Sequence, residues 1–162
     1  MRRKAILLVG AALLAGCGGG GKARHDRTFS SAGVPFTFRY PDRFRAHGLS
    51  VSLDPRNALV IRRASARELD PDQYLGALRR SFARRGLRAT ARRERHAGRE
   101  MGVLAVVVPA ASPASGGRGP LHTTSRFFAA GGATWQLECR YADRRAEVVQ
   151  GCRAALSSLL FR

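Results

Sequence analysis

Three cysteines are the residues of this chain best suited to covalent chemistry, and they stand at positions 17, 139 and 152. A cysteine thiol can be alkylated, oxidised to a disulfide or bound to a metal ion. Cys17 directly follows Leu14-Ala15-Gly16. A metal site is the weaker alternative for Cys139 and Cys152, because neither has a CxxC partner or a histidine nearby in sequence.

The segment before Cys17 has the layout of a secretory signal. Arg2, Arg3 and Lys4 form a basic start, and an apolar run extends from Ala5 to Ala15. This run is too short to span a bilayer, since a spanning helix needs ~20 residues. Its end, Leu14-Ala15-Gly16-Cys17, resembles a bacterial lipobox, in which leucine and two small residues precede an obligatory cysteine.

This resemblance implies that Cys17 carries a lipid and begins the mature chain. Residues 1–16 would then be the signal peptide, residues 17–27 the lipidated cysteine with a flexible tether, and residues 28–162 a single domain. Two or more acyl chains anchor a protein stably, whereas one does so only marginally. We therefore expect a lipid anchor in the cell membrane, on its extracytoplasmic side. A plain signal peptide with an incidental cysteine is the alternative.

Assigning Cys17 to the lipid leaves two cysteines in an exported domain, where thiols tend to oxidise. In the segment Ala133–Tyr141, Cys139 shares one face with Trp135 and Leu137. Cys152 falls on the apolar stripe of the last predicted helix. Both thiols are thus expected to point inward, and we predict a disulfide between Cys139 and Cys152.

The chain alternates between strand and helix patterns. Strands are predicted for Thr28–Ser30, Val34–Tyr40, around Leu49 to Leu53, Ala58–Arg62, Arg88–Arg95, Val103–Val108, Leu121–Ala130 and Ala133–Tyr141. Gly131-Gly132 is typical of a hairpin turn between the last two strands. Ala110 to Pro120, rich in proline, glycine and serine, predicts a loop.

Two helices complete the pattern. Asp70 and Pro71 predict the start of the first, and Gly86 with Leu87 its end. Asp143 is expected to cap the second helix, which should run to about Phe161. The buried face of this helix is predicted to consist of Val149, Cys152, Leu156 and Leu159, which lie along one stripe. Gly151 is expected to allow close packing beside the disulfide.

These elements predict an α+β fold, with an antiparallel sheet of about six to eight strands between helices. The segment Phe36–Phe44 resembles the F-x-F-x-Y-P-x-x-W opening of PsbP-like domains, with Phe44 in place of tryptophan. The ending Ser158-Leu159-Leu160-Phe161 is similar to theirs as well. That family includes photosystem PsbP proteins, Mog proteins and actinobacterial LpqN-type lipoproteins. The resemblance implies an α-β-α sandwich that binds other proteins, and it brings no catalytic residue.

Arginine dominates the charge. The formal net charge is +18, and removing the three basic residues of the signal leaves +15. Nine arginines fall between Arg79 and Arg99. The residues proposed to contact an anionic surface are Arg80, Arg84, Arg85, Arg88 and Arg92. The partner of these arginines could be anionic lipid or a wall polymer, and an ordinary solvated face is the alternative. An unknown envelope protein is expected as a further partner of the chain. Nucleic acid is disfavoured by the export signal and by the lack of interleaved aromatic residues.

No residue pattern predicts catalysis. Asp70 and Asp72 are explained by helix capping, Ser115 is not in a GxSxG elbow, and the four histidines have no metal-ligand spacing. No cofactor motif is present either. We therefore expect a non-enzymatic binding or accessory protein. An envelope-associated hydrolase, or another enzyme with an unrecognised site, is the alternative.

Overall fold

The computed structural model describes residues 25–110 and 119–162. The signal, Cys17 and most of the tether predicted at 17–27 lie outside the described residues, as does most of the loop predicted at 110–120. The end of the predicted tether belongs to the first strand, which begins at Asp26. The strands are β1 (Asp26–Phe29), β2 (Phe36–Pro41), β3 (Arg45–His47), β4 (Ser50–Asp54), β5 (Asn57–Ser65), β6 (Ala89–His96), β7 (Arg99–Val108), β8 (Leu121–Ala130), β9 (Ala133–Tyr141) and β10 (Leu160–Phe161). The helices are α1 (Pro71–Arg84) and α2 (Arg145–Ser157).

The central layer is a seven-stranded antiparallel sheet with the order β3-β4-β5-β9-β8-β7-β6. A second sheet has the order β1-β2-β10. The hairpin between β8 and β9 turns at Gly131 and Gly132, whose φ values of 57° and 72° suit glycine at both turn positions. The predicted α+β sandwich and its strand number are confirmed.

Helix α1 covers one face of the central sheet, and its two ends follow local signals. The side chain of Asp70 accepts hydrogen bonds from the backbone N–H groups of Asp72 and Gln73. At the other end, Gly86 has a φ of 71°, and the N–H of Leu87 donates to the carbonyl of Phe82. This arrangement satisfies the last carbonyls of the helix. Both predicted ends of α1 are therefore confirmed.

The core beneath α1 contains aliphatic residues of β7 and aromatic residues of the helix and β8. Leu75, Leu104, Val106, Val108 and Phe127 are its buried members. The rings of Tyr74 and Phe127 meet edge to face, with centroids 5.0 Å apart. A Cβ on Gly102 would lie 2.9 Å from Leu75, so glycine at this position lets α1 approach the sheet closely.

The opposite face of the central sheet is covered by α2 and the three-stranded sheet. Phe36 of β2 meets Phe128 and Trp135 edge to face, at centroid distances of 5.1 Å and 5.6 Å. This face carries the larger of the two cores. It also holds the predicted disulfide: the Sγ atoms of Cys139 and Cys152 are 2.18 Å apart, and the Cα atoms are 6.2 Å apart.

The predictions for α2 were wrong in three respects. Its N-cap is Arg144 without a side-chain cap, because Asp143 bonds Asn57 instead. The helix ends at Ser157, since Leu160 and Phe161 pair with β2 and Phe161 packs on Phe36. The buried helix residues are Val148, Gly151, Cys152 and Ala155. Val149 and Leu156, which were predicted to be buried, are only half-buried.

Gly151 allows close packing, as predicted, but its neighbours differ from those expected. A Cβ there would lie 2.9 Å from Cζ of Phe44 and 3.4 Å from Leu59. The contact is thus with the fully buried ring of Phe44. Strand β3 was not predicted, because its three residues are all exposed and lack an apolar alternation. Neither helix among the described residues is long and apolar enough to cross a membrane.

Candidate functional site

Five arginines lie at the C-terminal end of α1 and in the connection to β6. We call them the arginine surface: Arg79, Arg80, Arg84, Arg85 and Arg88, all exposed. Leu75, Leu78 and Phe82 of the same helix turn toward the sheet. The arginines are therefore left at the margin of that apolar stripe and on the solvent side of α1.

The arginine surface carries uncompensated charge. Within residues 25–110 and 119–162, no ion pair engages any of its five members. The neighbouring Arg93 behaves differently, because it pairs with Asp72 and Glu100. Its hydrogen bond to Asp72 lowers the pKa of that carboxyl. The positive charge of Arg93 is thus neutralised by ion pairs, whereas no ion pair of the described residues neutralises the arginine surface.

Arg92 stands apart from the other residues of the proposed anionic contact. Strand residues alternate between faces, and Ala91 and Arg93 lie on the side of α1, Ala91 in its core and Arg93 on Asp72. Arg92 therefore lies on the opposite face, where it forms an ion pair with Glu94 at 3.2 Å. Glu94 also accepts a hydrogen bond from Arg126 at 2.5 Å. The structure brings Arg80, Arg84, Arg85 and Arg88 to one end of α1 and separates Arg92 from them.

A groove runs between α1 and strand β6. Its larger part, about 550 Å³, is lined by Gly76, Arg79, Arg80, Ala83, Arg88 and Ala89 among others. A second part of about 300 Å³ continues toward Ala91 and Arg93, and both parts share Gly76 and Arg79. We call this recess the β6 groove. It combines small side chains at its walls with guanidinium groups at its rim.

A more enclosed crevice of about 270 Å³ lies where α1 begins, beside the ends of β7 and β8. Tyr74 and Phe127 form apolar walls, and burial raises the pKa of Tyr74. The Thr134 hydroxyl in its lining accepts the N–H of Leu69 and donates to the carbonyl of Arg67. Arg99 at the mouth donates to the carbonyl of Ala129. These polar groups hold the surrounding chain together.

Asp70, Asp72 and His122 have structural roles in the fold. Asp70 caps α1, and Asp72 pairs with Arg93. His122 stacks on Tyr141 with ring centroids 4.9 Å apart. In the described parts of the chain, no group of three or more metal-binding side chains comes together. Ser115 lies outside the described residues.

Asn57 is a buried polar residue whose role is not indicated by any pattern in the sequence. Only 2% of it is exposed. Its amide donates to Asp54 and Asp143, and its Oδ1 accepts the N–H groups of Ala142 and Arg144. The hydrogen bond from Asn57 lowers the pKa of Asp143. The nearest signal in the sequence was the polar turn Asp54-Pro55-Arg56-Asn57, which does not indicate its distant partners.

The seven-stranded sheet between α1 on one face and α2 with the small sheet on the other is a PsbP-like fold. The solution structure of cyanobacterial PsbP (CyanoP) from Synechocystis sp. PCC 6803 matches it with a TM-score of 0.54. The match covers 92% of this chain and 99% of that chain at 17% sequence identity, and it shows the fold alone. No family model matches the chain, and no curated protein sequence does so either.

Proposed function

We propose that this protein is a lipid-anchored, non-enzymatic binding or accessory protein on the extracytoplasmic face of the cell membrane. The observation that carries this proposal is the sequence Leu14-Ala15-Gly16-Cys17 behind a basic and apolar start. The disulfide between Cys139 and Cys152 supports export, because disulfides persist in oxidising compartments. Lipid on Cys17 would hold the folded domain close to the bilayer.

The non-enzymatic part of the proposal is supported by how the candidate residues are used. Asp70 and Asp72 serve the helix N-terminus and an ion pair, and His122 serves a ring stack. A catalytic nucleophile needs a base within hydrogen-bond reach and a group that orients that base. The titratable residues just named act instead in capping and packing, which favours a role in binding.

The binding partner proposed for the arginine surface is an anionic component of the envelope. Its five guanidinium groups are exposed and lack ion pairs among the described residues. Arginine binds carboxylate and phosphate groups through planar, bidentate hydrogen bonds. Anionic lipid, a wall polymer and an acidic envelope protein all carry such groups.

Metabolic labelling with a fatty acid tests the lipid anchor. We expect wild-type protein to be labelled and Cys17→Ser to be unlabelled, because the serine hydroxyl does not replace the thiol as the alkylated group. The matched control is the double variant Cys139→Ser/Cys152→Ser, which should keep the label. Equal labelling of wild type and Cys17→Ser would refute the proposal.

A further inference from the structure

Strand β6 forms one edge of the central sheet and is paired on one side only. It spans eight residues, and β7 is its neighbour. In the described residues no strand adjoins its outer side. Every second residue of an edge strand therefore directs its N–H and C=O groups away from the sheet. The opposite edge, β3, has only three residues, which makes β6 the longer template for an added strand.

The β6 groove lies beside this edge and has the shape that an added strand requires. Helix α1 packs over β6 and β7, and Ala89 and Ala91 of β6 face it. A strand placed beyond β6 would continue the sheet and direct alternate side chains into the groove. Gly76 has no side chain, so α1 does not fill the groove at this position. A Cβ there would contact only Arg80, at 3.4 Å.

The charge around the edge determines which strand it accepts. Arg79, Arg80 and Arg88 line the groove, and each lacks an ion pair within the described residues. A second copy of β6 would add three more arginines, Arg92, Arg93 and Arg95, with Glu94 as its one acidic residue, and like charges on paired strands are destabilising. A segment with carboxylates would be attracted instead.

A lipid bilayer would contact only part of this region. Anionic headgroups could contact Arg84 and Arg85 on the solvent side of α1, but a bilayer has no regular row of N–H and C=O groups to pair with β6. The recess between Gly76 and Ala89 would also stay empty against a broad surface. The observations therefore favour a polypeptide.

We propose that the β6 groove binds an extended acidic segment of a partner protein, which adds to the sheet as a strand beside β6. This inference rests on the proposed binding function and names the chemistry of its partner. Backbone hydrogen bonds to β6 would supply affinity, and carboxylates facing Arg79, Arg80 and Arg88 would supply selectivity.

Binding is tested with a capped peptide of alternating glutamate and valine, as long as β6. The protein is the chain from Gly18 onward, which keeps all described elements, since they lie between Asp26 and Phe161. We expect saturable binding by fluorescence anisotropy and slower amide hydrogen exchange in β6. A peptide with lysine in place of glutamate should not bind, and one with N-methyl groups at alternate amides should lose at least tenfold in affinity.

Two matched pairs of variants separate charge from shape. Arg80→Ala/Arg88→Ala should weaken peptide binding about fivefold, the range expected for two exposed ion pairs, whereas Arg145→Ala/Arg153→Ala on α2 should not. Gly76→Leu should block the groove while preserving every charge. Ala77→Leu, at an exposed position of the same helix, should leave binding unchanged.

Vesicles of phosphatidylglycerol at low salt provide the competing probe. Binding to vesicles without binding to the acidic peptide would overturn the proposal and favour a membrane contact. Equal binding of the peptide to wild type and Gly76→Leu would also overturn it, because charge alone would then suffice. Binding to neither probe would indicate that the arginines only protect the sheet edge. These outcomes do not depend on Cys17, so fatty-acid labelling tests the anchor separately.

Discussion

At the scale of single residues, Asn57 is a buried residue that makes three polar contacts to a distant part of the chain. It connects the turn before β5 to the segment between β9 and α2, 85 to 87 residues further along the chain. A buried amide costs free energy unless its donors and acceptors are bonded. Asn57 meets this condition and holds the start of α2 in place, where no side-chain cap is present.

Replacement of Asn57 by alanine should lower the free energy of unfolding by about 2–3 kcal/mol. The variant loses several hydrogen bonds, each worth about 1 kcal/mol, and leaves the N–H groups of Ala142 and Arg144 unsatisfied. Urea unfolding of wild type and variant measures the loss. A change below about 0.5 kcal/mol would contradict the role assigned to Asn57.

The same variant should change the pH dependence of stability. The pKa of Asp143 is lowered in the fold, mainly by the hydrogen bond from Asn57. Its carboxylate therefore stabilises the fold at pH values above its ordinary pKa, and this contribution is lost as the pH falls through the lowered pKa. In Asn57→Ala the pKa of Asp143 should rise toward its ordinary value. NMR titration measures that rise, and stability should then depend less steeply on pH below about pH 4.

At the scale of elements, the two helices use glycine in different ways. Gly151 of α2 faces the buried ring of Phe44, whereas Gly76 of α1 faces the open β6 groove. Both lie inside helices, where glycine is less favourable than alanine by up to about 1 kcal/mol. Only Gly151 has a packing reason to be present, since a methyl group there would lie 2.9 Å from the ring of Phe44.

Alanine at these two positions should have opposite effects on stability. Gly151→Ala should lower the free energy of unfolding by about 1–3 kcal/mol, because Phe44 must move in a packed core. Gly76→Ala should raise it by up to about 1 kcal/mol through helix propensity. Thermal and urea unfolding compare the pair directly. Stabilisation by both substitutions would show that the contact between α2 and Phe44 is looser than described.

At the scale of the whole molecule, two cores lie on opposite faces of one sheet, and the disulfide joins the last long strand to the last helix. The two cysteines are separated by 13 positions. Such a crosslink acts largely on the unfolded chain, by restricting its conformations, so its effect belongs to the complete domain.

The double variant Cys139→Ser/Cys152→Ser should be less stable by about 3 kcal/mol, the value expected for a closed loop of this length. Chemical unfolding with and without reductant measures the difference, and reductant should affect only the wild type. Denatured, unreduced wild-type protein from Gly18 onward should show no reactive thiol. Titration of two thiols in that protein would contradict the disulfide.

Much of the fold follows from signals that act within a few residues. The ends of α1 depend on Asp70 and Gly86, and the bounds of β8 and β9 follow from their alternation and from Gly131-Gly132. The lipid anchor and export also rest on a local motif, Leu14-Ala15-Gly16-Cys17, and remain predictions. Local signals suffice in these cases because capping bonds and turn geometry involve only neighbouring residues.

Other features were decided only by tertiary structure. Phe161 leaves the helical pattern because its ring packs on Phe36 and Phe128, far away in the chain. Arg92 separates from the arginine surface because sheet pairing places it on the other face. The free edge of β6 and its groove depend on strand order, which local patterns do not specify. The sequence by itself determined most of the strands, both ends of α1 and the charged segment. Long-range packing determined where α2 begins and ends and which side chains meet, because the burial of apolar surface stabilises a contact whatever its distance in sequence.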